Sequence, residues 1–309
     1  AVNASTKPNR PKREELKIVK GTVSGSGSGT EADPVIIATD GTGAEIRISS
    51  ETAQATVHTT LTDMESGTAA DVAGNTVTVK LPLNGAGEKK YKLEYYTDGE
   101  GFTATPSKTV YYKVAQGFTV TFKVEGGNGS LKGASGTQEK TATTSEQTFS
   151  VLHGGSLTFT AEPETGYEVD SWSTNVTVDT SDNTKATLSS IAEDKTVMVQ
   201  FSKKQYRVEF SIGRVPQTGL ATIEATVDDG TATLTSPIVV EHGKKVEIKV
   251  NNAPTDEWDI IWTVNGQVKS GSSGESSYTI NPLMGDTTVL VDFTIALSLI
   301  HISEPTRQA

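Results

Sequence analysis

The sequence predicts a mainly β protein built as three small antiparallel β modules in tandem. Three observations carry this reading. Thr, Ser, Gly and Val dominate the 309 residues, a composition that suits strands and turns better than helices. Short apolar runs with period-two alternation recur between Asn-Gly and Asp-Gly turn signals. The pattern of residues 118–201 then returns over 208–293, as an internal duplication would make it do.

Composition bounds what the chain can do. Its length suits two or three domains, and 34% hydrophobic with 21% charged residues describes a polar, soluble chain with thin cores. Residues 1–20 hold six Lys or Arg against Glu14 and Glu15, a net +4, so the remainder carries −15 of the −11 total. An acidic body lacks the concentrated basic surface that nucleic acid requires, so no nucleic-acid partner is expected. There is no cysteine, which removes disulfides, thiolate metal sites and cysteine catalysis. No apolar run reaches the roughly 18 residues of a membrane helix, and no signal peptide is visible. A start at Ala1 without Met reads as a mature or internal fragment, and exported bacterial β proteins share the cysteine-free, Thr/Gly-rich composition.

The elements follow in order. Residues 1–30 read as a disordered basic lead with two prolines, then a Gly/Ser linker at Ser24–Gly29. That linker lacks the Lys-Ser/Thr ending of a phosphate-cradling loop. From 31 to 115 the runs Val35–Ile37, Ala44–Ile48, Ala55–His58, Val77–Leu81, Tyr91–Tyr95 and Val110–Val114 alternate with turns at Asp40-Gly41, Asn84-Gly85 and Asp98-Gly99. Six or seven short strands in about 80 residues point to an immunoglobulin-like sandwich. Tyr91–Leu93 followed by Gly101–Ser107 also resembles the last hairpin of Ig-like modules in bacterial surface proteins. Gln116-Gly117 marks the next boundary. A second module then occupies 117–203, with strands at Phe118–Val124, Thr148–Val151, Ser156–Ala161, Tyr167–Trp172 and Val197–Phe201. Strict alternation in Tyr167–Trp172 would expose Trp172, so a bulge is expected there. A divergent copy fills 205–296.

The duplication is specific. Val208-Glu209-Phe210 answers Val120-Thr121-Phe122, His242-Gly243 answers His153-Gly154, and Trp262 answers Trp172. Asp286-x-x-Val289-x-Val291-x-Phe293 answers Asp194-x-x-Val197-x-Val199-x-Phe201. Between the copies the polar residues Glu162, Glu164 and Asp170 are not kept. That favours shared packing over a shared chemical site.

The first copy resembles the divergent form of the internalin B-repeat, a bacterial surface repeat. Leu157, Phe159, Ala161, Pro163, Gly166, Tyr167, Val169, Trp172 and the strand Thr196–Phe201 fill its pattern, with Val169 where an aromatic is common. The second copy lacks the Gly-Tyr pair and has Asp256-Glu257-Trp258 instead. The resemblance implies a small β module of an exported or surface-anchored bacterial protein with spacer or adhesive duty. It brings no catalytic residues.

Candidate sites are few. His153 and His242 each precede glycine at a turn, with no second imidazole or thiol nearby for a metal. Glu168 and Asp170 share a strand face as a solvated edge, and no cleft surrounds them as a glycosidase would need. The loops Asp179–Asn183 and Asp63–Ser66 are oxygen-rich but lack the spacing of a calcium loop. No Gly-x-Ser-x-Gly elbow is present. No catalytic residue, metal or cofactor is therefore assigned. Trp258, Tyr96 and Tyr111 are the aromatics that could stack on a sugar, while Pro163, Gly166, Tyr167, Trp172, Phe201, Trp262 and Phe293 form the expected packing signature. Leu297–Arg307 reads as an in-frame translation of a transposon-end sequencing adapter. Biological sequence is thus expected to end near Ala296, in a record assembled from shotgun reads. The reading is a non-catalytic structural or adhesive repeat region, secreted or at a bacterial cell surface, with a host or matrix protein or a glycan as partner. The alternatives are an accessory carbohydrate-binding region of a secreted enzyme, or a pure spacer.

Overall fold

The computed structural model describes residues 14–100, 103–214, 221–253, 258–269 and 274–295. The basic run at 1–13 and the adapter-like tail lie outside them. Among the described residues every regular element is a strand, and no helix is long and apolar enough to cross a membrane. The chain divides into two compact units: Ala1–Glu162 with Ser171–Val199, and Pro163–Asp170 with Gln200–Ala309.

The first module comprises β1 (Glu14–Lys20), β2 (Thr22–Val23), β3 (Val35–Thr39), β4 (Ala44–Ser50), β5 (Thr56–Asp63), β6 (Ala69–Gly74), β7 (Thr76–Leu81), β8 (Glu88–Asp98) and the first half of β9 (Lys108–Glu125). One sheet runs β1-β4-β7; the other runs β9-β8-β5-β6, with β3 parallel to β9. Alternation puts Ile46, Ile48, Val77, Val79 and Leu81 of the first sheet against Val57, Leu93, Tyr91, Tyr112 and Val114 of the second, in one buried core. Asn84 and Gly85, both at positive φ, turn β7 into β8, closed by Ala86 N–H donating to the Leu83 carbonyl at 3.0 Å. Two positive φ values in succession suit Asn-Gly and few other pairs.

One expectation is corrected here. Glu14–Lys20 does not belong to a disordered lead: it is β1, antiparallel to β4, with Leu16 against Ile48 and Ile18 against Ile46. The Leu16/Ile18 alternation supplies an apolar face that the neighbouring lysines and prolines mask in the composition. Thr22–Val23 likewise pairs with β3.

The 18-residue β9 does not stop at Gln116-Gly117. Its first half pairs with β8, and its second half pairs with β12 of the next module. That module adds β10 (Gly129–Ser135), β11 (Gln138–Ala142), β12 (Gln147–Leu152), β13 (Leu157–Pro163), β14 (Tyr167–Trp172), β15 (Thr177–Val178), β16 (Lys185–Leu188) and β17 (Lys195–Lys203). The third has β18 (Gln205–Ile212), β19 (Thr222–Val227), β20 (Ile238–Glu241), β21 (Val246–Asn251), β22 (Trp258–Val264), β23 (Gln267–Val268), β24 (Ser277–Ile280) and β25 (Thr287–Ile295).

The two copies share a topology. The strand path β12-β9-β17-β14 of one repeats as β20-β18-β25-β22 of the other, and β10-β13-β16 repeats as β19-β21-β24. Each copy buries the side chains of its alternating positions. Phe122, Phe149 and Phe159 form an aromatic cluster in one, with centroids 5.7 and 5.5 Å apart for the two pairs that Phe122 makes. Phe210, Trp262, Val289, Val291 and Phe293 centre the core of the other.

Candidate functional site

The most deeply buried charge found among the ion pairs is Glu14, whose side chain is 3% exposed. β1 carries it into the first module, where Lys108 Nζ donates to its Oε2 at 2.7 Å and Thr105 Oγ1 donates to its Oε1 at 2.9 Å. Burial by itself would raise its pKa. Hydrogen bonds from Lys108, its own backbone N–H and Thr105 outweigh that and hold the group at about 2. A carboxyl held so firmly ionised can neither give up a proton near neutral pH nor serve as an electrophile. It acts as a fastener for β1.

The predicted stacking aromatics do not form a row. Tyr96 faces outward from β8 and is 37% exposed. It lies parallel to His58 of β5 with ring centroids 4.7 Å apart, and His58 Nε2 sits 2.8 Å from Asp98 Oδ1. Tyr111 shares that sheet face but is half-buried and opposite Lys92. Four residues of strand therefore separate it from Tyr96, about 13 Å, with Glu94 and Thr109 between them. Trp258 opens β22 and packs half-buried on the core of the second unit.

The acidic loops spend their oxygens on themselves. Asp179 Oδ1 accepts from the Ser181 N–H at 2.8 Å, and Asp182 Oδ1 from the Thr184 N–H at 3.1 Å. Lys185 and Thr184 then lower the Asp182 pKa to about 2. Asp63 accepts from Lys89 at 2.7 Å and from Glu65 N–H at 2.9 Å. Among the described residues no three His, Asp or Glu side chains gather where they could hold one metal ion. An open cleft beside Gly117, lined by Lys20, Asp40, Thr119 and Ser150 among others, offers hydroxyls but no nucleophile paired with a base.

The expected packing-signature residues differ in burial. Phe201, Trp262 and Phe293 are buried, and Gly166 is buried at φ +85°. Pro163, Tyr167 and Trp172 are half-buried, and β14 continues through Trp172. Trp172 donates its indole N–H to the Asn183 carbonyl at 2.8 Å, and Trp262 donates to that of Glu275 at 3.0 Å. The recurrent aspartates act on backbone: Asp194 Oδ1 accepts from Thr119 N–H at 2.7 Å and Asp286 Oδ1 from Arg207 N–H at 2.8 Å. Each therefore caps the first strand of its module. Asp286→Ala is expected to destabilise the second unit by about 1 kcal/mol, the worth of one partly solvated hydrogen bond; urea unfolding followed by tryptophan fluorescence reads it, and an unchanged midpoint would refute the capping role.

These features define a tandem-module β protein whose recurrent side chains pack, cap and turn. Residues 123–205 match the family described as the divergent InlB B-repeat domain. Among curated protein sequences none matches the chain. Similar solved structures include the Bacillus anthracis TIE protein, at 12% identity and a TM-score of 0.41 over 93% of this chain and 59% of that one. A bacterial adhesin from Mobiluncus mulieris containing intramolecular disulfide, isopeptide and ester bond cross-links aligns at 11% identity and 0.26 over 62% of this chain and 100% of that one. A bacterial ice-binding adhesin aligns at 10% identity and 0.26 over 93% and 98%. The chain thus spans less than two thirds of the TIE protein.

Proposed function

We propose that the chain is a non-catalytic structural and adhesive repeat region of an exported bacterial surface protein. The observation that carries this reading is what the duplication kept. The recurrent Phe and Val positions are buried, the recurrent Trp is buried as Trp262 and half-buried as Trp172, the recurrent Asp caps a strand, and the recurrent His-Gly sits at a turn. A duplicated chemical site would have kept convergent polar side chains instead. The match of residues 123–205 to a B-repeat family supports the same reading.

The test uses the full chain coupled to beads, assayed on host matrix proteins, on a glycan array and against peptide, ester and glycoside substrates. Saturable retention without turnover is the expected result. Turnover of any substrate would overturn the reading, and retention nowhere would reduce the chain to a spacer. One observation favours carbohydrate as the bound class: Tyr96 presents an exposed ring backed by the parallel His58 ring. Tyr96→Ala removes that surface and is expected to change stability by less than about 1 kcal/mol, since the ring is over a third exposed. Loss of glycan retention in this variant identifies a sugar-stacking surface; unchanged retention assigns adhesion to another face.

A further inference from the structure

Gly87 and Gly166 occupy unrelated stretches of sequence and are nevertheless used in the same way. Gly87 follows a tight turn and Gly166 is the third residue of one, and each directly precedes a strand. Ala86 N–H donates to the Leu83 carbonyl before β8, and Tyr167 N–H donates to the Glu164 carbonyl at the start of β14, both at 3.0 Å. Each then offers its own carbonyl to the residue at which the next module begins. Within the first unit Gln116 N–H donates to Gly87 O at 2.8 Å, and within the second Lys204 N–H donates to Gly166 O at 2.9 Å. The same two residues accept in turn from the histidines, His153 N–H to Gln116 O and His242 N–H to Lys204 O, each at 2.8 Å.

The imidazoles close the arrangement. A Cβ added to Gly87 would come closer than 3.0 Å to Cγ, Cδ2 and Nε2 of His153, and one added to Gly166 would do the same to His242. Real Cβ atoms are not found at such distances, so only glycine admits the ring. Behind each ring stands the first aromatic of the module, Phe118 at 6.2 Å from His153 and Tyr206 at 5.8 Å from His242. The glycine after each histidine has positive φ and donates to a carbonyl of its own module, Gly154 to Ile191 and Gly243 to Leu283, both at 2.8 Å. The histidine is thereby fixed to its own module and its ring is pressed onto a glycine outside it.

We infer that the His-Gly turn of each repeat is a docking surface whose partner is a glycine-bearing turn supplied by the chain segment before it. The ring on the glycine and the two-way backbone bridge through Gln116 or Lys204 together hold each His-Gly turn to that segment. In β9 the acceptor comes from a sandwich module with its own topology, so the surface reads a turn with an accessible glycine and does not need a second copy of the repeat. The coupling is independent of whether the chain adheres to anything.

Gly87 gives the cleaner test, because Gly166 sits at φ +85° and any side chain there is strained on backbone grounds. Hydrogen exchange is followed in the full chain for the wild type, Gly87→Ala, His153→Ala and the double variant. Gly87→Ala is expected to speed exchange of the Gln116 and His153 amides by about tenfold or more, leaving the core amides of Leu93 and Val120 within about twofold. The double variant should match His153→Ala alone, since the added methyl then meets no ring. Unchanged junction amides in Gly87→Ala, or a double variant as fast as Gly87→Ala where that exceeds His153→Ala, overturns the inference. Should Gly87→Ala also free the core amides, His153→Ala decides: junction exchange that does not rise in it overturns the inference, and a rise confined to the junction supports it.

Discussion

Glu14→Gln is expected to cost the first module about 2–3 kcal/mol, because it removes the charge from a buried, three-way hydrogen-bonded carboxylate and sets an amide donor against Lys108. The variant should also change the acid response. The group is held at about 2 against an ordinary 4.5, so the unfolded chain binds this proton more tightly than the folded one. Stabilisation is therefore complete above about pH 4.5 and is lost as the pH falls toward 2, by roughly 3 kcal/mol at about 1.4 kcal/mol per pH unit. Hydrogen bonds from Lys89 to Asp63 and from Lys185 and Thr184 to Asp182 also hold those carboxyls below the usual carboxylate range, so they add to the acid response. A shallower acid slope in the variant than in the parent isolates Glu14. The three tryptophans, Trp172, Trp258 and Trp262, all lie outside the first module. Near-ultraviolet dichroism of the tyrosines, five of which are Tyr91, Tyr95, Tyr96, Tyr111 and Tyr112, is the suitable probe. Parallel slopes in parent and variant would rule the fastener out.

Trp262→Ala should be the most damaging single truncation in the second unit, at about 3–5 kcal/mol. The indole is fully buried, lies 5.8 Å from the Tyr278 ring and satisfies the Glu275 carbonyl. Trp172 holds the equivalent place in the sister repeat, with the equivalent hydrogen bond, but is half-buried. Its truncation should cost about 1–2 kcal/mol, since much of its surface already meets water. Urea unfolding of the two variants, followed by amide exchange in β25 and β17, compares them directly. Equal losses would mean that depth of burial does not govern this position.

Much of the fold could be read before any coordinates. The runs around Ile46, Val79, Leu93, Val120 and Val199 alternate cleanly, and alternation is the direct imprint of one wet and one dry sheet face. The duplication also announced a shared topology. Among the features that escaped, with β10, β11 and β16, three have identifiable reasons. β6, Ala69–Gly74, is an exposed edge strand of small residues, with no dry face to write a pattern. β1 carried its pattern but was set within a basic, proline-containing stretch. The continuity of β9 through Gln116-Gly117 depends on partners far along the chain on either side.

The functional detail was less legible. Glu14 meets Thr105 and Lys108 across more than 90 residues, a separation at which a single sequence carries no pairing signal. Nothing in the sequence marked Gly87, and its tie to His153 appears only in three dimensions. The recurrence of His-Gly and of Asp194/Asp286 was visible, and in the structure both aspartates accept from backbone N–H groups. Glu162, Glu164 and Asp170 are not kept between the copies.

The uninterrupted β9 carries the chain from one module into the next without a break in the strand. Gln116 falls inside a strand whose first half pairs with β8 and whose second half pairs with β12, and the handover is made by main chain. The third module begins the same way, one residue beyond the end of β17. Main-chain handover asks nothing of the side chains upstream beyond a glycine at the right turn. On the proposed docking rule, a repeat needs only such a glycine ahead of it, whether a sandwich or another repeat supplies the turn.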